Sequence, residues 1–186
     1  MQRAAVRPGL RAVVALDAGT GDDGAPLRRP DLLERLDHLV ARWHGTTART
    51  SAGPLVAVFT VAPRAVGFAA ALREELGPEV RAGVHVGEVH HRDGEVHGAT
   101  VAVARDLVAA AGPGRVRVSP VVRDLVGDTT GLRFARGPED GAGWQLEQDE
   151  PDPRRGGTHA AMADELATSI TSSRLVVLLA PAGAGK

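Results

Sequence analysis

The sequence predicts an α/β domain of the α+β kind, a mixed or antiparallel sheet with helices packed on one face. Three observations carry that expectation. The β-branched, apolar run Leu10 to Leu16 stops at Asp17 in the breaker-rich stretch 17–24, as a strand opening into a polar loop does. From Pro30 the apolar period switches to three- and four-residue steps through Leu32, Leu33, Leu36, Leu39, Val40 and Trp43. The two patterns then keep alternating, in the order βαββαβ followed by αβαββ, which suits a sheet backed by helices.

The elements follow in order. The Pro30 helix ends near Gly45. Thr46 to Thr50 and Leu55 to Val61 are short β-prone runs separated by Ser51-Ala52-Gly53-Pro54, which reads as a hairpin. A second helix runs from about Pro63 to Leu76, with Val66, Ala69, Ala70 and Leu72 inward and Gly77-Pro78 stopping it. Val80 to Val89 alternates valine and alanine with Arg81, His85 and Gly87, the pattern of a half-buried strand, and the segment His91 to Gly94 makes a turn. Ala99 to Ala111 is a third helix between Gly98 and Gly112-Pro113-Gly114. Arg115 to Ser119 reads as a short strand, Pro120 to Val126 as a short helix with Pro at its start, and Leu132 to Ala135 and Trp144 to Glu147 as edge strands.

Beyond residue 148 the regularity stops. Residues 149–173 begin as a charged, Pro- and Gly-rich linker and include a helical pattern from Ala160 to Ile170, with Met162, Leu166 and Ile170 on one face. Residues 174–186 form a fresh β-run, Arg174 to Leu179, feeding Ala180-Pro-Ala-Gly-Ala-Gly-Lys186.

Composition bounds the function. The chain has 186 residues, 22 Lys and Arg against 23 Asp and Glu, and no cysteine. A chain of that length buries about 70% of its unfolded surface, so neither metal nor disulfide is needed for folding. A disulfide scaffold, thiolate zinc sites and a cysteine nucleophile are excluded. No Lys/Arg surplus exists to displace counterions from phosphates, so no nucleic-acid partner is expected. The longest apolar run, Leu175 to Ala184, is about half a membrane span and contains Pro181, so no membrane association is expected. Arg3, Arg7 and Arg11 before Ala12 to Leu16 faintly resemble a signal peptide, but Asp17 interrupts the apolar stretch and the expected location is the cytoplasm.

Three segments carry a specific likeness: Val80-Arg-Ala-Gly-Val-His-Val-Gly-Glu-Val89, Glu95-Val-His-Gly-Ala-Thr-Val-Ala-Val-Ala104 and Ala111-Gly-Pro-Gly-Arg-Val-Arg-Val-Ser119. Together they resemble the class III nucleotidyl (adenylate/guanylate) cyclase domain, and the likeness extends more weakly across residues 10–148. The resemblance implies a ferredoxin-like βαββαβ cyclase-type core, dimerisation, and active sites built between two subunits. It also implies attack of a ribose 3′ hydroxyl on the α-phosphate, assisted by two divalent metals held by a pair of aspartates.

Carried over residue by residue, that implied site is incomplete. Asp17 occupies the first aspartate position. The second lies in a Lys-Thr-x-Gly-Asp-Gly pattern, matched here by Arg49-Thr-Ser-Ala-Gly-Pro54, which puts Gly53 at the metal position and Arg49 at the purine-contacting lysine. Sliding the match by one residue substitutes Ala52, so no second carboxylate appears. On the third helix the resemblance places Ala102 where the family has Asn and Asp106 where it has the phosphate-stabilising Arg. Losing one such donor costs about 2.7–4 kcal/mol, or roughly 10²–10³ in rate, and Asp106 reverses the sign as well. Arg105 is turned by about 100° from that position, toward Val101 and Val108. Glu95 stands at an acidic purine-selecting position, although as a residue it also reads as a hairpin charge. Asp17 also reads as a strand-end turn residue, because a lone carboxylate binds metal poorly.

Other constellations are weaker. His85, His90, His91 and His97 lie close in sequence, but alternation separates His85 from His90 and no zinc-ligand spacing appears. No Gly-x-Ser-x-Gly elbow exists. The strand and Ala180-to-Lys186 tail resemble the start of a P-loop of an AAA or STAND-type ATPase, without the Ser/Thr and helix that complete phosphate binding, so Lys186 is a weak nucleotide contact.

The resulting expectation is a catalytically degenerate cyclase-homology domain, a regulatory or dimerisation module of a signalling ATPase. Its partner would be another copy or a related cyclase domain, with an ATPase domain downstream. No cofactor is expected in this chain. The alternatives are an active cyclase making cyclic AMP from ATP with Mg²⁺ or Mn²⁺, and a nucleotide-sensing module without turnover.

Overall fold

The computed structural model describes residues 9–18, 30–48, 50, 55–92, 95–127, 132–137 and 143–147, all within the unit Met1–Asp152. The linker 149–173 and the tail 174–186 lie outside the described residues. The elements are β1 (Gly9–Asp17), α1 (Pro30–Arg42), β2 (Thr46–Ala48), β3 (Leu55–Phe59), α2 (Ala62–Leu76) and β4 (Arg81–Arg92). Then come β5 (Glu95–His97), α3 (Ala99–Ala109), β6 (Val116–Val118), α4 (Pro120–Val126), β7 (Phe134–Arg136) and β8 (Trp144–Leu146).

Seven strands form the sheet in the order β2-β3-β1-β4-β6-β8-β7, and β5 pairs back onto β4. Among these ladders β4–β6 is parallel and the rest are antiparallel. This mixed, mostly antiparallel sheet, with four helices among the described residues, is the α/β architecture that the alternating pattern predicts. β4 is the middle strand of the seven, and β1 lies beside it, held by β3 on one side and by a nine-residue ladder with β4 on the other.

The helices cover both faces, which corrects the one-face expectation. On one side, Val101, Ala104 and Val108 of α3 pack on Val13, Ala15, Val56, Val58 and Val89. On the other, the Phe68 ring of α2 lies 5.1 Å from Phe59, and Trp43, just after α1, closes over Gly67. α4 contacts α2 and β4. The physical cause is legible in β1: Ala12, Val13, Val14, Ala15 and Leu16 are all at most 1% exposed. A continuous apolar run of this kind marks a strand covered on both faces, whereas a strand with one wet face alternates.

α3 approaches β4 closely because glycine stands beneath it. A Cβ on Gly83 would lie 2.3 Å from the Ala104 carbonyl oxygen, and one on Gly87 would lie 2.4 Å from the Thr100 hydroxyl. Thr100 Oγ1 donates to the Glu88 carbonyl at 2.6 Å, so the start of α3 is tied to the strand it covers.

β4 runs three residues past the expected end at Val89, and β5 is an element that the sequence pattern does not reveal. His90 pairs with His97, His91 with Val96 and Arg92 with Glu95, narrowing the expected turn. Polar residues on both strands of a short hairpin supply no apolar alternation to read.

Candidate functional site

The end of β1 is the structural position of the implied metal site. Asp17 is the last residue of that strand, and its register partner on β4 is Arg81. Arg81 Nη2 donates to Asp17 Oδ2 at 2.8 Å and Nε donates to the same oxygen at 3.3 Å. The two side chains retain 35% and 39% exposure, so this is a half-solvated charge pair at the rim of the sheet. The pairing Leu16↔Leu55 brings the first residue of β3 to the same end. Arg49, Ala52 and Gly53 lie outside the described residues.

A divalent pair does not fit this donor set. Asp17, the carboxylate at this end among the described residues, already accepts two hydrogen bonds from a guanidinium. Glycine at position 53 has no side chain to offer a second. Two adjacent dications need several anionic oxygens to offset their mutual repulsion. No group of three or more His, Asp or Glu side chains able to hold a metal occurs among the described residues.

α3 presents its substituted positions outward. Ala102 and Asp106 are both exposed and one turn apart, while Arg105 is half-buried on the side of the buried Val101 and Val108. The exposed side of α3 therefore carries a methyl group and a negative charge where the resemblance calls for an amide and a cation.

Glu95 sits at the other end of β4. It opens β5 opposite Arg92, 29% exposed, with Oε2 3.6 Å from Nε2 of His97. Arg81 and Arg92 are the two ends of β4, roughly 35 Å apart along an extended strand. Asp17 and Glu95 of one chain thus cannot meet on one nucleotide.

The remaining candidates scatter. His85 is half-buried, its Nδ1 2.8 Å from Ser119 Oγ, and burial lowers its pKa below the ordinary histidine value. His90 is exposed on the β4–β5 hairpin, opposite His97. Lys186 lies outside the described residues. Arg81 is the neighbour of Asp17 that sequence reasoning missed. It was visible only as one polar position in an alternating strand, 64 residues from its partner.

No family model matches the sequence, and no curated protein matches it. Solved structures do. An adenylate/guanylate cyclase/hydrolase from Silicibacter pomeroyi is 25% identical, with TM-score 0.58 over 78% of this chain and 100% of its own. The adenylyl cyclase CyaB from P. aeruginosa is 17% identical, with TM-score 0.61 over 78% of this chain and 97% of its own. A non-canonical dimeric guanylyl cyclase domain, from the RhoGC fusion protein of the aquatic fungus Blastocladiella emersonii, is 17% identical, with TM-score 0.58 over 76% of this chain and 96% of its own. No helix among the described residues is long and apolar enough to cross a membrane. β1, its β3 and β4 neighbours and the α3 packed over them are thus the frame of a known class, and the chain carries the class III adenylate/guanylate cyclase fold across most of its length.

Proposed function

We propose that this chain is a catalytically degenerate cyclase-type domain, acting in the cytoplasm as a regulatory or dimerisation module of a larger signalling ATPase. One observation supports the reading: Asp17, the carboxylate at the metal position among the described residues, is held by Arg81, and the residue matched to the second aspartate is Gly53. The outward Ala102 and Asp106 on α3 support it from the complementary half of the site, since an acid there repels a triphosphate. The opposite placement of Asp17 and Glu95 along β4 favours a partner of the same fold, another copy or a related cyclase domain. The fungal guanylyl cyclase domain is described both as a non-canonical dimer and as a monomer, so it shows self-association within this fold without fixing its geometry. The P-loop-like tail ending at Lys186 is the reason for placing an ATPase domain downstream.

Incubation of the purified chain with ATP or GTP and Mn²⁺, followed by measurement of cyclic nucleotide, tests this. The expected result is no product above a protein-free control. Turnover that disappears in Asp17→Ala would overturn the reading in favour of an active cyclase. Calorimetry with a non-hydrolysable ATP analogue separates the nucleotide-sensing alternative, which requires heat of binding without turnover.

A further inference from the structure

Loss of one aspartate would by itself leave a weak metal site. The structure holds something more specific, because a cation of the protein's own is already seated on the remaining carboxylate. Two guanidinium nitrogens of Arg81 converge on one oxygen of Asp17, at 2.8 and 3.3 Å. The arginine is delivered by a rigid element. Asp17 and Arg81 are direct partners at the end of a nine-residue ladder, and the next pair inward, Leu16 and Ala82, is at most 1% exposed. A guanidinium carried on the neighbouring strand competes with any ion in solution at a high effective concentration, although its own side chain is ordered on pairing.

The charges decide which cation wins. A single carboxylate balances a single positive charge. A dication arriving at Asp17 must either displace the guanidinium or sit beside it, and like charges a few ångströms apart at a half-exposed site repel appreciably. A lone carboxylate offers a divalent ion little in return.

We propose that Arg81 is the resident cation of the Asp17 site and excludes divalent metal from it. The exclusion is built into the β1–β4 ladder, in addition to the missing carboxylate at position 53. The inference rests on taking Asp17 as the metal-position carboxylate of the degenerate domain.

Backbone-amide NMR of the full chain with Mn²⁺ alone as the probe tests it, since the paramagnetic ion broadens amides close to where it binds. In the wild type, signals of residues 16–18 and 81–82 should broaden no more than those of other exposed carboxylates. Arg81→Gln should broaden them selectively, at roughly one-tenth of the Mn²⁺ concentration the wild type needs, from removal of both the competitor and its repulsion. The double variant Arg81→Gln with Asp17→Asn should lose that response, and Arg81→Lys, which keeps the charge, should stay near the wild type. Equal broadening in wild type and Arg81→Gln would overturn the proposal, as would a response that survives in the double variant. Should Arg81→Gln not fold, as judged by amide dispersion, the comparison of wild type with Asp17→Asn decides. Broadening at residues 16–18 that exceeds that at other exposed carboxylates and that Asp17→Asn abolishes means that the ion binds despite Arg81, and the proposal fails, whereas broadening there no greater than at other exposed carboxylates supports it. Cyclic nucleotide formation by the wild type would overturn the degenerate reading through a separate readout.

Discussion

The imidazole of His85 and the hydroxyl of Ser119 meet at 2.8 Å, joining the middle of β4 to the residue that precedes α4. Burial disfavours the charged ring, so its pKa in the folded chain lies below the ordinary value of 6.5. The unfolded chain therefore binds the proton more readily than the folded one. The stability contributed by His85 is complete above about pH 6.5 and declines as pH falls through the folded value, with a slope of at most about 1.4 kcal/mol per pH unit. Thermal unfolding between pH 7.5 and pH 5.5 should show wild-type stability falling more steeply than that of His85→Gln. Parallel curves would show that this ring is not the responsible group. The Ser119 contact need not break on protonation, because Nδ1–H can still donate to the hydroxyl oxygen.

The Asp17–Arg81 pair should contribute little to folding. Both side chains are more than a third exposed, and pairs of that kind couple by about 0.2–1 kcal/mol. A double-mutant cycle of Asp17→Asn and Arg81→Gln in urea should return a coupling within that range, smaller in high salt. A coupling well above it would mean that the pair supports the sheet rather than merely occupying the site.

Gly83→Ala should destabilise the domain by about 1–3 kcal/mol, the usual consequence of overpacking. The added carbon would meet the Ala104 carbonyl oxygen at 2.3 Å and Val108 N at 2.7 Å, both backbone atoms of α3, so the helix itself must move. Denaturant midpoints give the loss, and amide shifts along residues 99–109 should report the displacement.

Phe68→Ala should cost about 3–5 kcal/mol, as for other fully buried aromatic truncations. Phe68 is 0% exposed, and its ring lies 5.1 Å from that of Phe59, tilted by 41°. Phe68→Leu should recover more than half of that loss. Equal losses in the two variants would point to the ring contact rather than to the cavity.

Much of the fold was legible in the chain because each element carries its own periodicity. The run Leu10 to Leu16, the three- and four-residue steps after Pro30, and the glycine stops at Gly77 and Gly112 mark elements close to those observed. β5 was not legible, since Glu95-Val96-His97 has a single apolar residue and becomes a strand only by pairing with β4. The covering of both sheet faces was written in Ala12 to Leu16, but an apolar run says that a partner exists on each side and not which helix supplies it.

The substitutions in the implied site, Gly53, Ala102 and Asp106, are properties of the sequence alone, because residue type decides whether a carboxylate, an amide or a cation can be offered at all. What occupies Asp17 was decided by tertiary structure. Arg81 reaches it only because β1 and β4 run antiparallel in one register, and no local pattern encodes a contact across 64 residues. Periodicity records how deeply a strand is buried, whereas the partner of a charged side chain at its end depends on which strand lies alongside and in what register.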